Sequence, residues 1–327
     1  MASRPRSSRL RRTLLAALVT ASVAVPVSGA ARPGAVPAPA PAALAPLRDA
    51  TPAALDARYA ANRAGIRAAA RMAADHGDLR RAAALRTLAG PAHRFLSFDG
   101  RDGGRTTEVF GDLAHAERIA VLVPGSDTDL DTYGRFRAGA LALGNEMHKR
   151  DARSAVVAWL GYRTPSTVSP TVLTPGRAEV AAHQLRSFLR ELESTAPSTA
   201  GRLTLVCHSY GSVVCGRAAA AGLRAADIVL YGSPGTGTGT VGGLHTRATV
   251  WAGRGAHDWI ADVPHGRLQL PGLTLGFGPD PMSEEFGARI FDAGATDHSH
   301  YLMPGSVSLT NIARIASGAA PTGGRHA

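Results

Sequence analysis

The sequence predicts an α/β fold, with a mostly parallel central sheet flanked by helices and a helical segment ahead of it. Three observations predict it. From residue 119 onward, strand-like apolar runs alternate with helical stretches, which is the pattern of a parallel sheet. Those runs are almost continuously apolar, as in Ile119-Ala120-Val121-Leu122-Val123, and so suit strands covered on both faces. Finally, the run Thr204-Leu205-Val206 stops at Cys207-His208-Ser209-Tyr210-Gly211, and small residues follow at helical spacing. That is a strand, a sharp turn with serine at its tip, and a helix.

Along the chain, Arg4, Arg6, Arg9, Arg11 and Arg12 precede an apolar stretch from Leu14 to Val27, and Ser28-Gly29-Ala30 offers small residues for cleavage. Residues 1–30 therefore read as a secretory signal, with a retained anchor as the alternative; the apolar stretch falls short of the roughly 20 residues a membrane span needs. Residues 31–50 form an Ala/Pro-rich linker. A helical segment covers 51–92. Thr51 can cap its first helix and Pro52 suits the first helical position, and a second helix runs from Asp78 to Leu88. The α/β domain then spans 93–320. Its strands are expected at 95–98, 106–110, 119–123, 154–160, 203–206, 227–231, 248–252 and 288–292. Its helices are expected at 134–149 and at 176–192, the latter with Val180, Leu185, Phe188, Leu189 and Leu192 on the apolar side.

The formal net charge is +11, and the five leader arginines contribute five of those charges. Lys149 is the only lysine, and the arginines are scattered rather than interleaved with aromatics. That distribution argues against a nucleic-acid partner and leaves room for peripheral contact with an anionic cell envelope. Cys207 and Cys215 read as two buried free thiols rather than a disulfide, because one ends a strand and the other lies well into the next helix. Gly237-Thr238-Gly239-Thr240-Val241-Gly242 fits a dinucleotide fingerprint, but another strand starts within about six residues and leaves no helix to hold pyrophosphate. No cofactor is implied.

The chemistry centres on Ser209. A serine hydroxyl is a poor nucleophile unless a base takes its proton and a carboxylate fixes that base's tautomer. At a nucleophile elbow these partners follow the serine in the order acid, then histidine. Asp258 lies in the loop leaving the strand around Trp251, closer to the strand end than its competitors Asp262 and Asp280. Asp297-His298-Ser299-His300 follows the last strand and offers the base. Extended, His298 and His300 would point the same way, and spacing does not separate them. The same four residues hint at a metal, but no further ligand cluster with recognisable spacing accompanies them. Oxyanion donors are expected from the amide of Tyr210 and from Pro124-Gly125-Ser126, through Ser126 or Gly125. The Pro/Thr/Ser-rich stretch 163–175 is a candidate lid or substrate rim, with Tyr162 lining an acyl pocket; an ordinary surface loop is the alternative.

Taken together, the chain resembles the secreted α/β-hydrolases of actinomycete bacteria, a group without an assigned substrate. The phrases that carry the resemblance are Val121-Leu122-Val123-Pro124-Gly125, Trp159-Leu160-Gly161-Tyr162, His208-Ser209-Tyr210-Gly211-Ser212, Tyr231-Gly232-Ser233-Pro234-Gly235, Phe286-Gly287-Ala288-Arg289 and His298-Ser299-His300-Tyr301-Leu302. The resemblance implies a serine hydrolase with Ser209 as nucleophile, Asp258 as acid and His298 as base, because His298 opens the H-S-x-Y phrase. Cys207 departs from the glycine usual there. The implied activity is cleavage of an ester or other acyl bond in a small-molecule or lipid-like substrate. An amidase, peptidase or acyltransferase with the same triad, or a non-catalytic envelope-binding protein on this fold, are the alternatives.

Overall fold

A computed structural model describes residues 36–169, 176–199, 201–263, 265–270 and 273–323. The expected leader over 1–30 lies outside these residues, as do positions 170–175 of the candidate rim. Strand β1 (Phe95–Asp99), β2 (Arg105–Gly111), β3 (Arg118–Val123), β4 (Ser154–Leu160), β5 (Leu203–His208), β6 (Asp227–Tyr231) and β7 (Thr249–Gly253) join the short β10 (Arg289–Ile290) in one sheet. A separate antiparallel hairpin is formed by β8 (Gly266–Leu270) and β9 (Leu273–Gly278). The main sheet runs in the order β1-β2-β4-β3-β5-β6-β7-β10. Its pairings are antiparallel at β1–β2 and β2–β4 and parallel everywhere else.

Because alternate strand residues face opposite sides of a sheet, the apolar runs feed two cores at once. Ile119, Val121 and Val123 of β3 point to one face, where they meet the helices α4 (Gly176–Thr195) and α5 (Tyr210–Ala220). Ala120 and Leu122 point to the other, beneath α3 (Tyr133–His148) and α6 (Val307–Ala316). Every residue of β4 is buried, as a strand roofed on both sides requires. On α4, Leu185, Leu189 and Leu192 are buried as expected, but Val180 is 62% exposed.

The N-terminal helices are α1 (Pro52–Asp75) and α2 (Leu79–Leu88). Thr51 accepts a hydrogen bond from the Ala54 amide and Asp78 one from the Arg81 amide, so each helix begins at a side-chain cap. Both pack on the β1 edge, in a third core that includes Phe95, Phe98, Tyr133 and Leu160. They therefore share side chains with the α/β layers, and Arg81 of α2 pairs with Asp131 in the segment between β3 and α3.

Two elements have no counterpart in the sequence expectations: the β8–β9 hairpin and α6. The hairpin departs from simple alternation by a register irregularity between Gly266 and Leu268. Helix α6 begins at Ser306, which accepts from the Leu309 amide, and buries Leu309, Ile312, Ala313, Ile315 and Ala316. The last strand is shorter than expected, although the Phe291 amide still donates to Ala252 at 3.0 Å.

Candidate active site

Ser209 is the single residue between β5 and α5, so it alone must reverse the chain. It does so with φ +50° and ψ −125°, a region that non-glycine residues rarely occupy. Its amide donates to the Tyr231 carbonyl at 3.1 Å, and its carbonyl accepts from the Ser212 amide at 2.9 Å. Both neighbours of this turn need to be small. A Cβ at Gly211 would lie 2.6 Å from the carbonyl oxygens of Val123 and Pro124, so only glycine lets α5 press against the end of β3. A Cβ at Gly125 would lie 2.7 Å from Ser209 Cβ and 3.3 Å from its Oγ. The backbone at Gly125 therefore passes directly beside Ser209, and Tyr210 opens α5. Amides at that end of a helix favour developing negative charge.

The two cysteines correct the sequence reading: Cys207 and Cys215 form a disulfide. The turn at Ser209 is so tight that α5 folds straight back over β5, which brings the two Cα atoms to 6.5 Å, within bridging range. Both residues are fully buried. Tyr162 is a second correction. Instead of lining an acyl pocket it is buried, donates its hydroxyl to the Pro124 carbonyl at 2.6 Å, and stacks on Trp159. Burial raises its pKa well above the ordinary tyrosine value, so it stays a neutral donor under the loop that carries Gly125. Above that loop, Asp127 accepts from the Thr167 amide at 3.1 Å and donates its own amide to Pro165. Thr164 and Thr128 exchange two further bonds. The described part of the 163–175 stretch is thus laced to the Gly125–Ser126 loop.

The histidine and the acid come from different loops. His298 Nε2 lies 3.0 Å from Ser209 Oγ, and its Nδ1 lies 2.8 Å from Asp258 Oδ1. With a carboxylate at Nδ1, the imidazole carries its proton there and leaves Nε2 free to accept one. Asp258 is 3% exposed. Burial alone would raise its pKa, but hydrogen bonds from His298, from the Tyr301 hydroxyl and from the Ile260 amide outweigh that and hold it below the usual aspartate value. Neither competing aspartate shares this position: Asp280 pairs with Arg254 at 2.6 Å, and Asp262 ends the short helical turn Trp259–Asp262. His300 faces away, pairing with Asp297 at 2.7 Å on the surface. Among the described residues, no cluster of three or more His, Cys, Asp or Glu side chains is arranged to hold a metal ion.

Three further residues shape this site. Tyr301 donates to Asp258 Oδ2 at 2.5 Å while accepting from the Gly255 amide, which fixes the carboxylate from the side opposite His298. Gly232 has φ +57°, and a Cβ there would meet Asp258 Oδ2 at 3.0 Å and His298 Cε1 at 3.3 Å. Both residues sit inside phrases visible in the sequence, but nothing in their spacing reveals what they touch. The third is Trp259, whose ring centroid lies 4.5 Å from that of His298.

His208 is a support for the same histidine. Its Nε2 donates to the His298 carbonyl at 2.8 Å and its ring lies 4.8 Å from the His298 ring. Burial, reinforced by the proximity of His298, pushes its pKa down from 6.5 to about 3. Below pH 6.5 the unfolded chain then binds a proton that the folded chain refuses, so stability is complete above that pH and falls on acidification. The slope approaches about 1.4 kcal/mol per pH unit. Urea unfolding between pH 6.5 and 4.5 should show this decline, and His208→Gln, which keeps the N–H donor, should flatten it. Equal slopes in both proteins would remove His208 as the cause.

A family model described as alpha/beta hydrolase matches residues 99–267. The chain belongs to the alpha/beta hydrolases. This hydrolase is 31% identical over 260 residues to an uncharacterized protein of Mycobacterium tuberculosis, a match covering 68% of the chain and 38% of that protein. It is 34% identical over 136 residues to a second uncharacterized protein of the same species, covering 38% of the chain and 50% of that protein. The hydrolase thus matches half or less of the length of these relatives. Among solved structures, it is similar to that of esterase PE8, with a TM-score of 0.44 and 14% identity over 63% of this chain and 95% of the other. It is also similar to a serine hydrolase homologue from Coxiella burnetii, with a TM-score of 0.38 and 11% identity over 65% of this chain and 91% of the other.

Proposed function

We propose that this protein is an exported serine hydrolase that cleaves an ester or other acyl bond through an acyl-enzyme. The observation that carries the reading is the unbroken relay from Ser209 Oγ through His298 to Asp258, with contacts of 3.0 and 2.8 Å. Ser209 Oγ attacks the acyl carbon while His298 Nε2 takes its proton. The Gly125–Ser126 and Tyr210 backbone receives the oxyanion. His298 then returns the proton to the leaving group, and water repeats the sequence to release the acid. The Cys207–Cys215 bridge supports the export reading, since disulfides persist in oxidising compartments. A small-molecule or lipid-like acyl compound is the substrate class that accords with this chemistry.

Labelling with a fluorophosphonate tests the proposal, because such a probe reacts only with an activated serine. Wild-type protein should label, and Ser209→Ala and His298→Ala should not. A folded wild-type protein that does not label would overturn the reading in favour of a non-catalytic binding protein. Labelling that survives His298→Ala would transfer the base to another group.

A further inference from the structure

We propose that Trp259 forms the floor of a subsite for the alcohol portion of the ester, and that this hydrolase prefers esters of flat, apolar alcohols. The inference rests on the triad reading and adds the side on which the substrate's alcohol lies. Trp259 directly follows Asp258 and opens the short helical turn that the Asp258 carboxylate caps through the Ile260 amide at 2.9 Å. The bonds that fix the acid therefore also fix the indole. The ring lies 4.5 Å from the His298 imidazole, inclined by 46°, yet 49% of the residue remains exposed. A large apolar side chain held beside a reacting histidine and left open to solvent leaves apolar area for a ligand to cover.

The chemistry decides which part of a substrate covers it. When the tetrahedral intermediate collapses, the bond from the acyl carbon to the alcohol oxygen breaks, and that oxygen takes the proton carried by His298 Nε2. The departing oxygen must therefore come within hydrogen-bond reach of Nε2, and the group attached to it must lie against the surroundings of His298. One of those surroundings, His208, is partly buried and has its Nε2 committed to the His298 carbonyl. Trp259 is the exposed one. The acyl chain, by contrast, is a separate substituent of the carbon bound to Ser209 Oγ and leaves it in a different direction from the alcohol oxygen.

Two ester series separate these directions. One varies the alcohol at constant acetate (methyl, butyl, benzyl), and the other varies the acyl chain at constant methanol, from acetate to octanoate. All acetates pass through the same acetyl-enzyme, so the alcohol acts on kcat/KM and not on deacylation. Trp259→Ala should lower kcat/KM for benzyl acetate about tenfold relative to methyl acetate, as the loss of an aromatic pair implies. It should shift the acyl series uniformly, and Trp259→Phe should retain most of the benzyl preference. A uniform loss in both series would overturn the proposal and reduce Trp259 to a support for His298, and a loss graded along the acyl series would place the subsite on the other side. Fluorophosphonate labelling run in parallel distinguishes the failures. Wild-type protein that labels without alcohol dependence defeats this inference alone, whereas protein that neither labels nor hydrolyses defeats the triad reading and this inference with it.

Discussion

Replacing Asp258 by asparagine is expected to lower kcat by about 10⁴-fold while leaving the fold intact. The size of the effect follows from the hydrogen-bond inventory. The aspartate receives three donors: His298 and the Ile260 amide at Oδ1, and the Tyr301 hydroxyl at Oδ2. Asparagine has one acceptor oxygen. Turned towards Tyr301, it presents its NH₂ to His298 Nδ1, which moves the imidazole proton to Nε2 and leaves nothing to accept from Ser209. Turned towards His298, it confronts Tyr301 with an N–H while the Gly255 amide already donates to that hydroxyl. Either arrangement leaves a buried donor without an acceptor, at a stability cost of about 1–3 kcal/mol. Turnover of an activated ester, with circular dichroism as the folding control, measures both consequences. A rate loss of less than tenfold would show that Asp258 does not orient the base.

The second large effect is expected from the elbow disulfide. Cys207 lies two residues before Ser209 and Cys215 six after it, so the bridge spans the turn itself. Closing a loop with a sequence separation of 8 restricts the unfolded chain by about 2–3 kcal/mol on the chain-entropy account. Cys207→Ser/Cys215→Ser should lose about that much stability in urea unfolding. It should also lose turnover, because Ser209 depends on its surroundings to hold φ at +50°. Thiol titration of denatured wild-type protein should find no free cysteine. Two free thiols, or an unchanged urea midpoint in the double variant, would contradict the expectation.

The sheet was legible because its residues carry two periodicities at once. Ile119, Val121 and Val123 face one core and Ala120 and Leu122 the other, and an unbroken apolar run is what such a strand requires. Ser209 was legible because its turn leaves a local trace in small neighbours. Other features depend on how segments meet, which spacing does not encode. His298 and His300 look equivalent when the chain is drawn extended. The chain instead turns at 298–299, and the His300 ring folds back on Asp297. The cysteines look unbridgeable until the reversal at Ser209 lays helix on strand. Tyr162 looks like a pocket wall because an aromatic after a strand carries no sign of which way it faces; its hydroxyl in fact serves Pro124. Gly232, Tyr301 and Trp259 acquire their roles only from the convergence of three loops.

The lacing of residues 164–167 to the loop after β3 has a consequence for how the protein discriminates among substrates. Asp127, Thr128 and Thr164 make residues 164–167 and the loop after β3 a single mechanical unit. Under the proposed mechanism, a compound that displaces residues 164–167 as it binds would also move the amides assigned to the oxyanion. On the proposed reading, poorly fitting compounds would be penalised in the rate of bond cleavage as well as in residence, which places discrimination in the chemical step.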